Sequence, residues 1–185
     1  MFGFLFKEKR LNDSGQFLFL SIIEQSRLPF FYTDMEIADS IDGRFDVLVL
    51  HMAIVLDELD KYSEEVPEVM KLRRILQEIM FDNLDLTLRE IGVGDLGVGK
   101  KIKIMAEAFY GRVKTYQELF SSENVEEMSE AIKRNVYRGC DVDKKILKYL
   151  STYIFKIRRD VSDQPIKEIM KGNISFLKPL EIKND

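Results

Sequence analysis

From Phe45 to Tyr62 the chain reads FDVLVLHMAIVLDELDKY. Phe45, Leu48, Val49, Met52, Val55, Leu56 and Leu59 recur at helical spacing along one side. A strand would need apolar and polar residues to alternate, and here they do not. An amphipathic helix carrying this much apolar surface must be covered by other elements. The same period recurs along the chain. Gln16 to Arg27 reads as a first helix, stopped by Pro29. Pro67 to Ile91 turns Val69, Leu72, Leu76, Ile79, Met80, Leu84 and Leu88 inward. A helix from about Val98 places Ile102, Met105, Phe109, Val113, Tyr116 and Phe120 on one stripe. Asn124 with Glu127 forms a capping pair for a helix ending at Gly139. Asp141 is placed to cap the next, with Val142, Ile146, Leu150 and Ile157 inward. After Asp160 the pattern weakens to a short helix and an irregular end. The expectation is an all-α single domain over residues 1–185, a bundle of six or seven helices. Residues 1–12 and 161–185 are expected at its periphery.

With 185 residues, 45% apolar and 32% charged, the composition is that of a soluble globular protein. Cys140 is the only cysteine, which excludes an intramolecular disulfide and a cysteine-built zinc cluster and points to a reducing compartment. No stretch approaches the ~18 apolar residues of a membrane span. The opening MFGFLFKEKR puts its basic residues after the apolar patch, the wrong order for a secretory signal, and a mitochondrial presequence is richer in Arg and Ser. Phe2, Phe4, Leu5 and Phe6, beside Lys7, Lys9 and Arg10, either dip into a membrane surface or fold onto the body as a loose end. Phe30, Phe31 and Tyr32, just after Pro29, read as residues that close the core.

The stretch IGVGDLGVGKK, Ile91 to Lys101, fits G-x-G-x-x-G and nearly fits a phosphate-binding loop. Such a loop follows a buried strand, opens a helix and ends in a magnesium-binding hydroxyl. Upstream, ILQEIMFDNLDLTLRE has helical period, and Lys101 stands where the hydroxyl belongs. A helix–helix corner is the better reading. Gly92 serves as the left-handed C′ residue, Asp95 caps the following helix, and Gly97 and Gly99 permit close approach. Lys100, Lys101 and Lys103 give the corner a positive rim. Phe109, Tyr110 and Arg112 beyond it are of the types that dominate protein interfaces.

His51 is the only histidine. On an apolar helix it reads as a hydrogen-bonded residue at the core boundary; a haem-ligating pair with Met105 is a poor signal. No hydrolase, zinc-protease or paired-cysteine motif is present, and no cofactor is implied. Charge is unevenly spread although the net is −4. Between Ala53 and Met70 the acids Asp57, Glu58, Asp60, Glu64, Glu65 and Glu68 face Lys61 alone. Between Lys133 and Arg159, nine bases face only Asp141 and Asp143. That stretch is either a solvated surface or a face for RNA, the ribosome, anionic lipid or an acidic protein.

DGRFDVLVLH, Asp42 to His51, and REIGVGDLGVGKKIKIMAEAFYGRVKTY, Arg89 to Tyr116, resemble the ubiquinol–cytochrome c chaperone family. The likeness runs over roughly Tyr32 to Ile157. Ala38 stands where the family pattern has proline and Thr115 where it has alanine; neither change touches a charged or aromatic group. The resemblance implies an all-helical, non-catalytic chaperone. Its client would be newly made cytochrome b of respiratory complex III, whose insertion and haem loading it assists, and mitochondrial members work with a small partner subunit near the ribosomal exit. The long N-terminal extension of those members is missing, which fits a bacterial relative in the cytoplasm, at the inner face of the inner membrane. The expected client-docking residues are Arg44, Asp95, Lys100, Lys101, Lys103, Phe109, Tyr110 and Arg112.

Overall fold

Ser40 begins the element on which the rest is built. Its extended backbone and its Oγ, accepting from the Gly43 N–H at 3.1 Å, cap a helix over Ile41–Asp60. The computed structural model describes residues 2–179, with side chains from residue 8 onward. In chain order the helices are α1 (Phe2–Ser26), α2 (Phe30–Thr33), α3 (Ile41–Asp60), α4 (Pro67–Glu90), α5 (Asp95–Ser122), α6 (Val125–Asn135), α7 (Lys144–Ser162) and α8 (Ile166–Ile169). No strand occurs among the described residues, so the fold is an all-α bundle.

The bundle is a ring around one central helix. α3 packs against α1, α4, α5 and α7, while α1 packs on α4, α4 on α5, α5 on α6 and α6 on α7. The expected apolar stripe of α3 is buried, and so are Val47, Leu50, Ala53 and Ile54 on its other sides. The helix is therefore enclosed rather than amphipathic, because neighbours meet it all round. Each fully buried Leu, Ile or Val there contributes roughly 1.5–3 kcal/mol.

The remaining gap, between α7 and α1, is closed by the extended chain after α8. Gln164 at the end of α7 holds Ser175 from both backbone directions: its amide donates to Ser175 O at 2.8 Å and accepts from Ser175 N at 3.0 Å. Gln25 of α1 donates to Leu177 O at 2.8 Å and to the Tyr153 hydroxyl at 2.8 Å. Ile169 is buried, and the Phe176 ring meets His51 edge-on at 6.0 Å.

Several boundaries differ from the sequence expectation. α1 begins at Phe2 rather than Gln16 and runs through Asn12-Asp13-Ser14-Gly15. Asn12 and Ser14 bond back to the carbonyls of Glu8 and Arg10, and Gly15 lies against Ile75 of α4, so the helix continues through them. The side chains of Phe2, Phe4, Leu5 and Phe6 lie outside the described residues. α6 stops at Asn135, four residues before Gly139, and the turn between them places Arg138 and Gly139 at positive φ. Asn124 does cap it, accepting from Glu127 N at 3.1 Å. α7 is capped by Asp143, not Asp141, through Lys145 N at 2.8 Å. Phe31 is fully buried and closes the core as expected, with Phe30 and Tyr32 half-buried beside it. Among the described residues no helix is long and apolar enough to cross a membrane.

Candidate docking surface

α4 ends in a Schellman turn. Gly92 takes φ 87°, its N–H donates to Arg89 O at 2.9 Å, and Val93 N–H donates to Leu88 O at 3.0 Å. Gly94, with extended backbone, is the residue before α5, and its carbonyl accepts from the N–H groups of Gly97 and Val98. α5 thus starts at Asp95, not Val98, and Asp95 is the first helical residue rather than the cap. Its carboxylate is exposed and accepts from Arg89, which also binds Asp85 at 2.5 Å. There it still favours the helix dipole and ties the two helices together. Gly97 approaches only the Val93 side chain, and Gly99 has open space beside it, so the expected close approach is absent at Gly99. A helix, α4, runs into these glycines where a phosphate loop needs a strand.

Around this corner, apolar side chains face solvent. Leu96 is 96% exposed, and Ile91, Ile104 and Tyr110 are each more than half exposed. Lys100, Lys101 and Lys103 are exposed among them. Two grooves flank the start of α3. One, of about 420 Å³, is lined by Ile23, Phe45, Leu48, Leu84 and Ile91, with Arg44 and Asp39 at its edge. The other, of about 380 Å³, is lined by Asp42, Leu88, Lys101, Ile104 and Met105. Ser40 and Ile41 belong to both. Arg44 bonds Asp39 at 2.5 Å and lies over the Tyr32 ring at 5.8 Å.

Five of the eight expected residues, Arg44, Asp95, Lys100, Lys101 and Lys103, lie exposed around this corner and its grooves, and Tyr110 is exposed about four turns further along α5. Phe109 is fully buried, its ring edge-on to Phe81 at 5.5 Å and to Tyr110 at 5.2 Å. Arg112 is mostly buried as well. Its guanidinium is bonded to the buried Asp46 and sits over the Phe45 ring at 5.6 Å. Both lie on the inward stripe of α5, where packing against α3 and α4 outweighs their interface character. Ile41, Ile91, Leu96 and Ile104 were missed as surface residues. The available signal was a leucine inside a glycine-rich turn and an isoleucine off the inward stripe of α5.

Buried polar groups are organised around α3. Asp46 accepts from Arg112 of α5 and, at 3.3 Å, from Arg138 after α6. Burial pushes its carboxyl up to about 6, against the pull of Arg112 and then Arg138. His51 is fully buried rather than at the core boundary, with Nδ1 2.8 Å from Val47 O and Nε2 3.3 Å from the Tyr153 hydroxyl. Burial lowers its imidazole to about 4. It is neutral, with Nδ1 donating to Val47, and neither nitrogen is left for a haem iron. The acidic run of α3 serves as struts: Asp57 binds Arg158 of α7 at 2.9 Å, Asp60 binds Arg73 of α4 at 2.6 Å, and Glu58 binds Lys61 at 2.5 Å. Among the bases of the second stretch, Arg138, Arg158 and Arg159 are likewise paired with carboxylates.

Solvent-facing apolar side chains with a lysine rim are of the kind found at protein-docking surfaces. The chain belongs to the ubiquinol–cytochrome c chaperone family, whose profile matches residues 33–176. It is also similar to the Cbp3 homolog from Brucella abortus. Its crystal structure aligns with a TM-score of 0.81 at 26% identity, over 96% of this chain and 97% of that one. No curated protein matches.

Proposed function

We propose that this chain is a non-catalytic assembly chaperone for respiratory complex III in a bacterium. It works in the cytoplasm at the inner face of the membrane and holds newly made cytochrome b until the subunit is assembled. Family membership supports the chaperone role and the complex it serves. The single observation that carries the docking site is the exposed apolar corner at Ile91, Leu96 and Ile104, edged by Lys100, Lys101 and Lys103. A client segment from a membrane subunit is apolar. It would cover Ile41, Leu96, Ile104 and Tyr110, while the lysines and Arg44 meet its acidic and carbonyl groups. Phe109 and Arg112 support this face from beneath and do not touch the client.

The test is charge reversal at Lys100 and Lys103, both exposed and on a helix that keeps its packing. Lys100→Glu with Lys103→Glu is expected to keep the melting temperature and to lower co-purification of cytochrome b on the order of tenfold or more, as charge-mismatched contacts do. Unchanged capture by the folded double variant would remove this surface from the proposal.

The ribosome, the alternative partner of the basic stretch Lys133 to Arg159, has less to hold than the sequence promises, because its arginines at 138, 158 and 159 are engaged internally.

A further inference from the structure

The lysines of that stretch remain, and three of the five share one face of α7. Lys145, Lys148 and Lys156 follow one another along the exposed side of α7, with Thr152 between the last two. Over about 16 Å, at 1.5 Å per residue, they form a straight row able to meet a plane. None has a carboxylate within ion-pair distance among the described residues, whereas every arginine of α7 has one. Lys144 and Lys145 also stand in the first turn of α7, where the helix dipole disfavours cations and the acid is the N-cap Asp143, whose carboxylate accepts from Lys145 N–H. Beside the row lies a mostly apolar cleft of about 260 Å³, lined by Tyr149, Tyr153, Ile157 and Leu177, with Lys156 and Lys178 at its edge. Leu177, on its lip, is 37% exposed.

We infer that this face of α7, with the cleft beside it, binds an anionic phospholipid surface: the lysine row meets the headgroups and the cleft with Leu177 takes apolar lipid. Charge complementarity selects an anionic partner, and the cleft selects one with hydrocarbon next to its charge. Single-stranded nucleic acid fits less well, since it needs aromatic faces open for stacking. Here the Tyr149 ring packs on Phe30 at 5.7 Å and Tyr153 is buried. The inference goes beyond the client reading, which concerns the α4–α5 corner elsewhere on the ring. Vesicle binding by the client-free chain tests it separately, so either can fail alone.

The experiment is flotation of the purified chain with phosphatidylcholine vesicles, with and without phosphatidylglycerol, across a salt series, beside binding to polyuridylate. The expected result is binding to the anionic vesicles alone, weakening as salt rises. Replacing Lys145, Lys148 and Lys156 together by Gln should lower it on the order of a hundredfold, about fivefold per lysine near an anionic surface. The same positions changed to Arg should bind as the parent does. Leu177→Gln should weaken vesicle binding several-fold. Failure to float with anionic vesicles at low salt overturns the inference, as does undiminished flotation of the Gln variant with an intact melting temperature. Polyuridylate binding that depends on these lysines, without vesicle binding, would make this a nucleic-acid face instead.

Discussion

Two buried titratable groups on α3 pull stability in opposite directions with pH. His51 is held near 4 when folded, against about 6.5 for a free imidazole. As pH falls from 6.5 to about 4 the unfolded chain takes up this proton first, so acidification destabilises. Asp46 is raised to about 6, against about 3.9 unfolded, so the folded chain takes that proton first and acidification stabilises. Between about 6 and 4 the two oppose each other. Asp39, Glu123 and Glu168, held low by Arg44, Arg159 and Lys171, lose their contribution on acidification in any variant that keeps them. Asp46→Asn removes only the stabilising arm. Its unfolding free energy from urea titration should therefore fall more steeply than the parent's from pH 6 to 4, by a difference on the order of 1–3 kcal/mol. Parallel pH profiles would mean that Asp46 does not titrate in this window.

At the scale of elements, the junction before α3 depends on one glycine. The chain from Asp34 to Ser40 runs so close to the first turn that a Cβ on Gly43 would overlap the Ala38 carbonyl oxygen, with Ile37 Cγ2 at 3.4 Å. The neighbour is backbone, so it cannot step aside as a side chain could. Gly43→Ala should cost about 1–3 kcal/mol and lower the melting temperature by several degrees. A melting temperature equal to the parent's would show that this approach is not as tight as described. Helix identity was legible in the sequence because apolar spacing is a local property. The central place of α3 was not: its stripe showed one covered side, and only the arrangement of four neighbours covers Val47, Leu50 and Ile54. The start of α1 ahead of Gln16 was not legible, because turn-type residues such as Asn12 to Gly15 tolerate a helix once tertiary packing holds it. The corner at Gly92 was readable because a C′ glycine and a nearby helix start leave a local signature. Phe109 and Arg112 were misplaced because residue type does not say which side of a helix is filled.

For the molecule as a whole, the ring of helices gives two kinds of surface on one frame. The α4–α5 corner presents solvent-facing apolar residues with three lysines, while α7, away from it, presents a lysine row beside an apolar cleft. Their separation would let a chaperone sit on a membrane and keep its client side open. The tail from Gly172 to Leu177 closes the ring by hydrogen bonds from Gln25 and Gln164, consistent with a family match that reaches residue 176. Tyr110 is the place to test whether the α4–α5 face holds cytochrome b. Tyr110 is 54% exposed and packs on Phe81 at 6.2 Å, so a photoreactive side chain there would sit on the client face without entering the core. Cross-linking in the native host followed by mass spectrometry should capture cytochrome b. Capture from this position of other proteins but no cytochrome b, by a chain that is folded and expressed at the parent's level, would contradict it.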